Sequence, residues 1–369
     1  MTSEAREGYA RLPEDLLRDL LEGAGNVANQ VIDMLGPALG MRERLRGALG
    51  SLGLIQKFEG GESFTIAGID GGFAVERTSA VDIGLSVAVG VEGLTGGTKH
   101  WDATQYEWWT RVDRHDLETE RLARGVMIAQ ELAVLREAPH DVLILDGSHM
   151  TLVIQLNTAL TVQSEELRGE AKRVWERLGT VDALTKAVTN ERIIAMPKYD
   201  SSRSICDRLK TELGSEIPGD DKYLLGLILQ AGELLTPQQV PVQPWSSLHF
   251  RSEQEEELAA TLEKAIGPLK ERKLKFTYFK PTEFSPAFRI EFKSHTSKQL
   301  FESILATLAA QITGPFIKEP YPQYLADVMA KSVGLGLSAL QTAVQLNMSG
   351  KGRPEIAELL IHSYRTEGV

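Results

Sequence analysis

Two carboxylates occupy matching places in the chain, each behind a short apolar run and in front of glycine: Asp70 in Phe64-Thr-Ile-Ala-Gly-Ile-Asp70-Gly-Gly72 and Asp146 in Asp141-Val-Leu-Ile-Leu-Asp146-Gly-Ser148. Apolar runs of this length predict buried strands, and the glycines predict a sharp turn directly after each acid. In α/β sheets, function collects at the carboxyl ends of strands. Two such strands side by side bring Asp70 and Asp146 within reach of one divalent ion, because hard cations such as Mn²⁺ or Mg²⁺ take carboxylate oxygens. Strand-Asp-Gly is also an ordinary exit through an Asx turn, so neither acid decides the matter alone.

A third acid is expected from the helix over about 116–137, which leads through Pro139 into the Asp146 strand. Glu120 and Glu131 share one face of it, eleven residues apart, but differ in height by about 16 Å, so only one reaches the metal. An antiparallel helix climbing back over a strand of about 17 Å comes level with the site near residue 126. Helical side chains lean toward the helix N-terminus, which favours Glu131 over Glu120. Solvated acids paired with Arg121 or Arg124 are the plain alternative. Cations are expected at Lys198, at the end of the strand Arg192-Ile-Ile-Ala-Met-Pro-Lys198, and at Arg203 in the hydroxyl-rich turn beyond it. A lysine as point charge and an arginine as fork make a phosphate clamp, and a surface turn reads the same way.

The remaining elements frame these groups. Residues 14–50 read as helical, with leucines and valines at 3.6-residue spacing, and 79–92 alternate as a strand that pairs antiparallel with the Asp70 strand. Trp101, Tyr106, Trp108 and Trp109 cluster ahead of the long helix, where exposed rings stack bases and buried ones fill a helix–sheet seam. Residues 275–280, ending at Lys280, and 288–292 form an antiparallel pair whose alternation turns Arg289 and Glu291 toward solvent or a groove. The chain has 369 residues, 42% hydrophobic, with one cysteine, Cys206. This suits a reducing, cytoplasmic setting without a disulfide framework. Met1-Thr-Ser-Glu-Ala-Arg-Glu7 lacks a secretory apolar run, and no stretch of about 18 apolar residues suggests a membrane span. A net charge of −11 excludes a general nucleic-acid-coating surface but not an enzyme with a local basic groove. No phosphate loop followed by Lys-Ser/Thr occurs, so any motor must be another protein.

The ordered set Ile69-Asp70-Gly-Gly, Leu145-Asp146-Gly-Ser148, Met196-Pro-Lys198 with Ser-Ser-Arg203, Tyr278-Phe-Lys280 with Arg289-Ile-Glu291, and Tyr321-Pro322 resembles the NurA nuclease family over about residues 60–335. The resemblance implies an RNase H-like α/β fold, a mixed β-sheet flanked by helices. It implies a manganese-dependent deoxyribonuclease, with Mg²⁺ as second choice, acting on single-stranded DNA and duplex ends in double-strand break processing. It further implies a homodimer working with a HerA-type hexameric ATPase. The metal acids match Asp70 and Asp146, a helix Glu lies between them, and Tyr321 matches a C-terminal catalytic Tyr. Where the family has a His eight residues on, this chain has Met329, with Asp327 as the substitute. Lys198, Arg203, Lys280 and Arg289 fall to DNA binding. The organisation expected is an N-terminal helical segment over 1–58, the nuclease domain over 59–335 with a helical insertion at about 151–190, and a helical tail over 336–369. Two other functions stay open: a catalytically weakened clamp or regulatory subunit of the ATPase, favoured by Met329, and a phosphotransferase or ATP-binding protein of the same fold.

Overall fold

The computed structural model describes residues 13–360 apart from 95, 103–104, 200, 242–248 and 272. Residues 1–7, read above for a secretory signal, and the end of the C-terminal tail lie outside the described residues. The chain divides into two compact units, one drawn from Met1–Ile55 and Asp200–Leu229, the other from Gln56–Tyr199 and Gln230–Val369. The sequence placed 200–229 with the main domain; the compact unit that includes this stretch also includes the N-terminal helices.

In the smaller unit, α1 (Glu14–Gly40) and α2 (Arg42–Ser51) are the N-terminal helices. The larger unit contributes α3 (Thr119–Glu137), α4 (His149–Leu160), α5 (Glu165–Leu178) and α6 (Thr180–Thr189) before the chain returns to the smaller unit for α7 (Ser204–Leu213) and α8 (Asp221–Ile228). Buried Asp221 ties the start of α7 down, accepting from the Ile205 and Cys206 N–H groups at 2.9 Å each. The Tyr223 hydroxyl donates to Leu35 O at 2.8 Å, and Arg46 donates to Ile228 O at 2.9 Å.

The larger unit is built on a ten-stranded mixed sheet: β1 (Ile55–Lys57), β2 (Ile66–Arg77), β3 (Asp82–Glu92), β4 (Gln105–Asp113), β5 (Val142–Asp146), β6 (Ile193–Met196), β7 (Glu233–Leu235), β8 (Gln238–Gln239), β9 (Leu274–Lys280) and β10 (Phe288–Lys293). The order across it is β1-β7-β9-β10-β6-β5-β2-β3-β4, with β8 beside β9. Strands β2, β5 and β6 are parallel neighbours, with Ile69 opposite Leu145 and Asp146 opposite Met196. β3 and β4 extend the sheet antiparallel.

Residue parity assigns the two faces. Ala67, Ile69, Leu143, Leu145, Ile193 and Ala195 point into a core shared with α3 to α6 and α9 (Glu256–Ala265), which is followed by α10 (Gly267–Lys270). Fully buried Leu122, Leu132 and Leu135 anchor α3 there, each side chain contributing about 1.5–3 kcal/mol. Ile66, Val142, Ile144 and Ile194 point the other way, onto α11 (Lys298–Ala310). On that face α12 (Tyr321–Lys331) and α13 (Val333–Gly350) follow, and α14 (Pro354–Leu359) ends the described elements. The α/β architecture expected from the sequence, a mixed sheet flanked by helices, is the one observed. No described helix is long and apolar enough to cross a membrane.

One local expectation fails. β2 does not turn after Asp70 but runs on through Gly71 and Gly72 to Arg77, paired with β3 along its length. The glycines serve close approach. A Cβ on Gly68 would lie 2.7 Å from the Pro322 backbone, and one on Gly72 would lie 2.2 Å from Ala330 O, both atoms of α12. A Cβ on Gly71, on the opposite face, would lie 2.5 Å from Glu131 Oε1.

Candidate metal centre

The parallel trio delivers the acids. Asp70 and Asp146 fall at neighbouring positions of adjacent strands and share the α12 face, where Asp327 meets them; one carboxylate oxygen from each lies within 4.8 Å of the others. Gly147, at φ +82°, then turns the chain into α4, capped by Ser148. Glu131 reaches in from the α3 face over Gly71 and is buried, whereas Glu120 lies near the start of the same helix, half exposed, paired with Arg77 at 3.4 Å. Glu120 is therefore not brought to the cluster.

Lys198 lies among the acids. Its ammonium is 3.4 Å from Asp146 Oδ2, 3.5 Å from Glu319 Oε2 and 3.8 Å from Asp70 Oδ2, and it pairs closely with Asp327. Lys331, one turn along α12, holds Asp327 at 2.7 Å. Gln323 braces the other side, donating to Asp146 Oδ1 at 2.8 Å and Met196 O at 3.1 Å. Met329 is substantially exposed. Tyr321 opens α12 and makes a backbone hydrogen bond to Gln311 O at 3.0 Å.

Burial, then repulsion from Asp146, pushes the Asp70 pKa up to about 7 against the pull of Lys198. Glu131 is held well above the usual carboxylate range by burial and by Asp70 and Asp146. Burial opposes the charge on Lys198, but the surrounding carboxylates, Asp146 first, outweigh it and hold its pKa above the ordinary lysine value. Asp327 is likewise opposed by burial yet held low by its bonds from Lys198 and Lys331. Crowded acids that resist ionisation and draw a cation among them fit a divalent metal, and an all-oxygen donor set suits Mn²⁺ or Mg²⁺.

The other expected DNA contacts are placed differently. Arg203 donates to Ile217 O at 2.8 Å and to Gly219 O, staying the loop before α8. Arg289 and Glu291 do not face solvent or a groove, because β10 is a central strand buried along its length. Arg289 lies over the Phe276 ring at 4.6 Å and pairs with Glu291 at 3.0 Å. Glu291 in turn accepts from Ser148 Oγ at 2.8 Å and His149 N at 3.2 Å, fixing the turn behind Asp146. Lys293, buried with it, contacts His149 Nε2 at 2.6 Å. Lys280 ends β9 at the same end of the sheet, three strands from β5. Sequence reasoning missed Gln323 and Glu319. Gln323 precedes Asp327 by four residues, one helical turn on the same face, and that spacing was the available signal.

Comparison with known proteins finds a family by sequence and a matching fold by shape. The profile described as the NurA domain matches residues 64–333. The chain belongs to the NurA family. The crystal structure of the NurA nuclease from Sulfolobus solfataricus superposes with a TM-score of 0.56 at 14% identity, covering 90% of this chain and 98% of that one. A NurA structure with manganese gives 0.54 at 13% identity, covering 87% and 98%. At these identities the likeness concerns the fold. No curated protein matches the chain in sequence.

Proposed function

We propose that this NurA-family chain is a metal-dependent deoxyribonuclease that hydrolyses phosphodiesters in single-stranded DNA and at duplex ends, with Mn²⁺ in the acid cluster and Mg²⁺ as the alternative ion. The observation that carries the reading is the convergence of Asp70, Asp146 and Asp327 around the Lys198 ammonium, where β5 and β6 end beside the middle of β2. Asp70 and Asp146 would hold the ion, with Glu131 closing the site from the other face and Asp327 in place of the family's histidine. When bound, the ion polarises the phosphodiester and lowers the pKa of an attacking water. The chain's own groups do the rest. Lys198, released from Asp327 as charge is neutralised, is placed to hold a phosphate oxygen, Gln323 keeps Asp146 oriented, and Tyr321 is the candidate for contact with the leaving side.

Tyr106 and Trp108 support a single-stranded substrate. They project, more than half exposed, from the edge strand β4, on the face that carries Asp70 and Gly72 and two strands away, about 10 Å. Exposed rings at that distance suit stacking of unpaired bases. Trp109 alternates to the other face, where its indole N–H donates to Glu170 at 2.9 Å. A homodimer and a HerA-type ring ATPase in double-strand break processing complete the proposal, on the strength of family membership and of the missing phosphate loop. The specific argument for a second reading, a catalytically weakened clamp on that ATPase, is Met329 in place of histidine.

The test is incubation of the pure protein with labelled single-stranded DNA and Mn²⁺, with and without chelator. Shortened products that chelator abolishes support the nuclease. Intact DNA under both conditions, with the protein folded, favours the clamp.

A further inference from the structure

The geometry points to a second, structural metal site for Zn²⁺, formed by Glu92, His100 and His140 at the end of the sheet opposite the acid cluster. Glu92 closes β3 opposite Ala67 of β2, and His140 lies just ahead of β5, six residues and about 20 Å of extended chain from Asp146. His100 comes from the connection between β3 and β4. Glu92 Oε2 is 2.9 Å from His100 Nδ1, Glu92 Oε1 is 3.2 Å from His140 Nε2, and one ligand atom from each residue lies within 4.8 Å of the others. With metal–ligand bonds of about 2.0–2.1 Å, neighbouring ligand atoms in a tetrahedral site are separated by roughly 3.3 Å, close to the separations of Glu92 from the two imidazoles.

The hydrogen bonding around His100 specifies what its other nitrogen can do. Nε2 lies 2.6 Å from Gly97 O, and a carbonyl only accepts, so the ring's proton is on Nε2. In the neutral ring Nδ1 then presents a lone pair to a carboxylate oxygen, a contact that requires a cation between them. Either a second proton or a metal ion supplies it, and an imidazole anchored through its far N–H on a backbone carbonyl is the usual arrangement of a metal-ligating histidine. His140 is buried, with Nε2 turned to Glu92. Trp101 walls the site, its ring 4.7 Å from that of His140 and its backbone N–H on Glu92 Oε1 at 2.7 Å. A Cβ on Gly90 would lie 2.4 Å from the same indole. Two imidazoles and a carboxylate, with water as a fourth ligand, suit Zn²⁺ better than the hard ions suited to the acid cluster. The ion would pin the segment around His100 to the β3 and β5 ends of the sheet.

Metal-free full-length protein titrated with Zn²⁺ against a chromophoric chelator tests this, in the wild type, Asp70→Asn and His100→Ala. The expected result is one tightly held zinc that persists in Asp70→Asn and weakens at least 10- to 100-fold in His100→Ala. Zinc should raise the thermal midpoint of the wild type and not of His100→Ala. His100 is half exposed, so the variant's midpoint without metal should match the wild type and show that the fold is intact. Equal zinc affinity in wild type and His100→Ala, or loss of all zinc binding in Asp70→Asn, would overturn the assignment.

Discussion

Asp70 opposes folding in the metal-free protein. Its pKa is near 3.8 in the unfolded chain and about 7 in the folded one, so its favourable contribution is complete below the lower value and is lost as pH rises through the upper. Asp70→Asn removes that dependence at nearly constant volume. In the presence of chelator the variant should therefore gain stability over wild type on going from pH 5 to pH 8, by an amount on the order of a few kcal/mol. Saturating Mn²⁺ should reverse the ranking, because only the wild type keeps the ligand charge. Thermal unfolding of both proteins at the two pH values measures this, and identical differences at pH 5 and 8 would remove Asp70 from the electrostatic centre of the cluster. At this scale the two aspartates were legible in the sequence, since apolar runs ending in acid are visible there. Gln323 and Glu319 were not, because a polar side chain near a helix start looks the same in sequence whether it faces solvent or a buried acid.

At the scale of elements, the cluster depends on how closely α3 and α12 approach β2. The height argument from the sequence placed the site between Glu120 and Glu131; the structure puts the Glu131 carboxylate over Gly71 and leaves Glu120 with Arg77. Glu131→Gln should accordingly reduce cleavage by orders of magnitude, while Glu120→Gln, which breaks only a surface pair worth about 0–1 kcal/mol, should stay within about twofold of wild type. Gly71→Ala provides an independent route to the same point. Its Cβ forces the Glu131 side chain aside at a cost of about 1–3 kcal/mol, so cleavage should fall at least tenfold while the protein remains folded by circular dichroism. Wild-type rates in Gly71→Ala would mean that Glu131 has no part in the reaction. The sequence showed these glycines but not the helices that crowd them, which is why they read as a turn. Arg289 and Glu291 were misread for a related reason, since alternation along β10 looks amphipathic although both faces of a central strand are covered.

For the whole molecule, a net charge of −11 gives poor unaided attraction to DNA, and a ring that feeds strand into the acid site would remove that handicap. Helix α1 is where the proposed docking is to be tested: Leu21, Ile32 and Met34 are each more than 60% exposed, and Ala38 alone of its 27 residues is buried. Leu21→Glu with Ile32→Glu should leave the isolated protein within about 0.5 kcal/mol of wild-type stability yet abolish co-elution with a HerA-type ATPase; unchanged co-elution would clear α1 of the docking role. None of this has meaning unless the acids at the sheet end perform hydrolysis. The most direct measurement is Mn²⁺-dependent cleavage of a labelled single strand by Asp146→Asn beside wild type, with matched circular dichroism spectra. The wild type should cleave, and the variant, which keeps the volume of the side chain but not its charge, should lose at least a thousandfold. Equal cleavage by the two proteins would contradict that role of the acids.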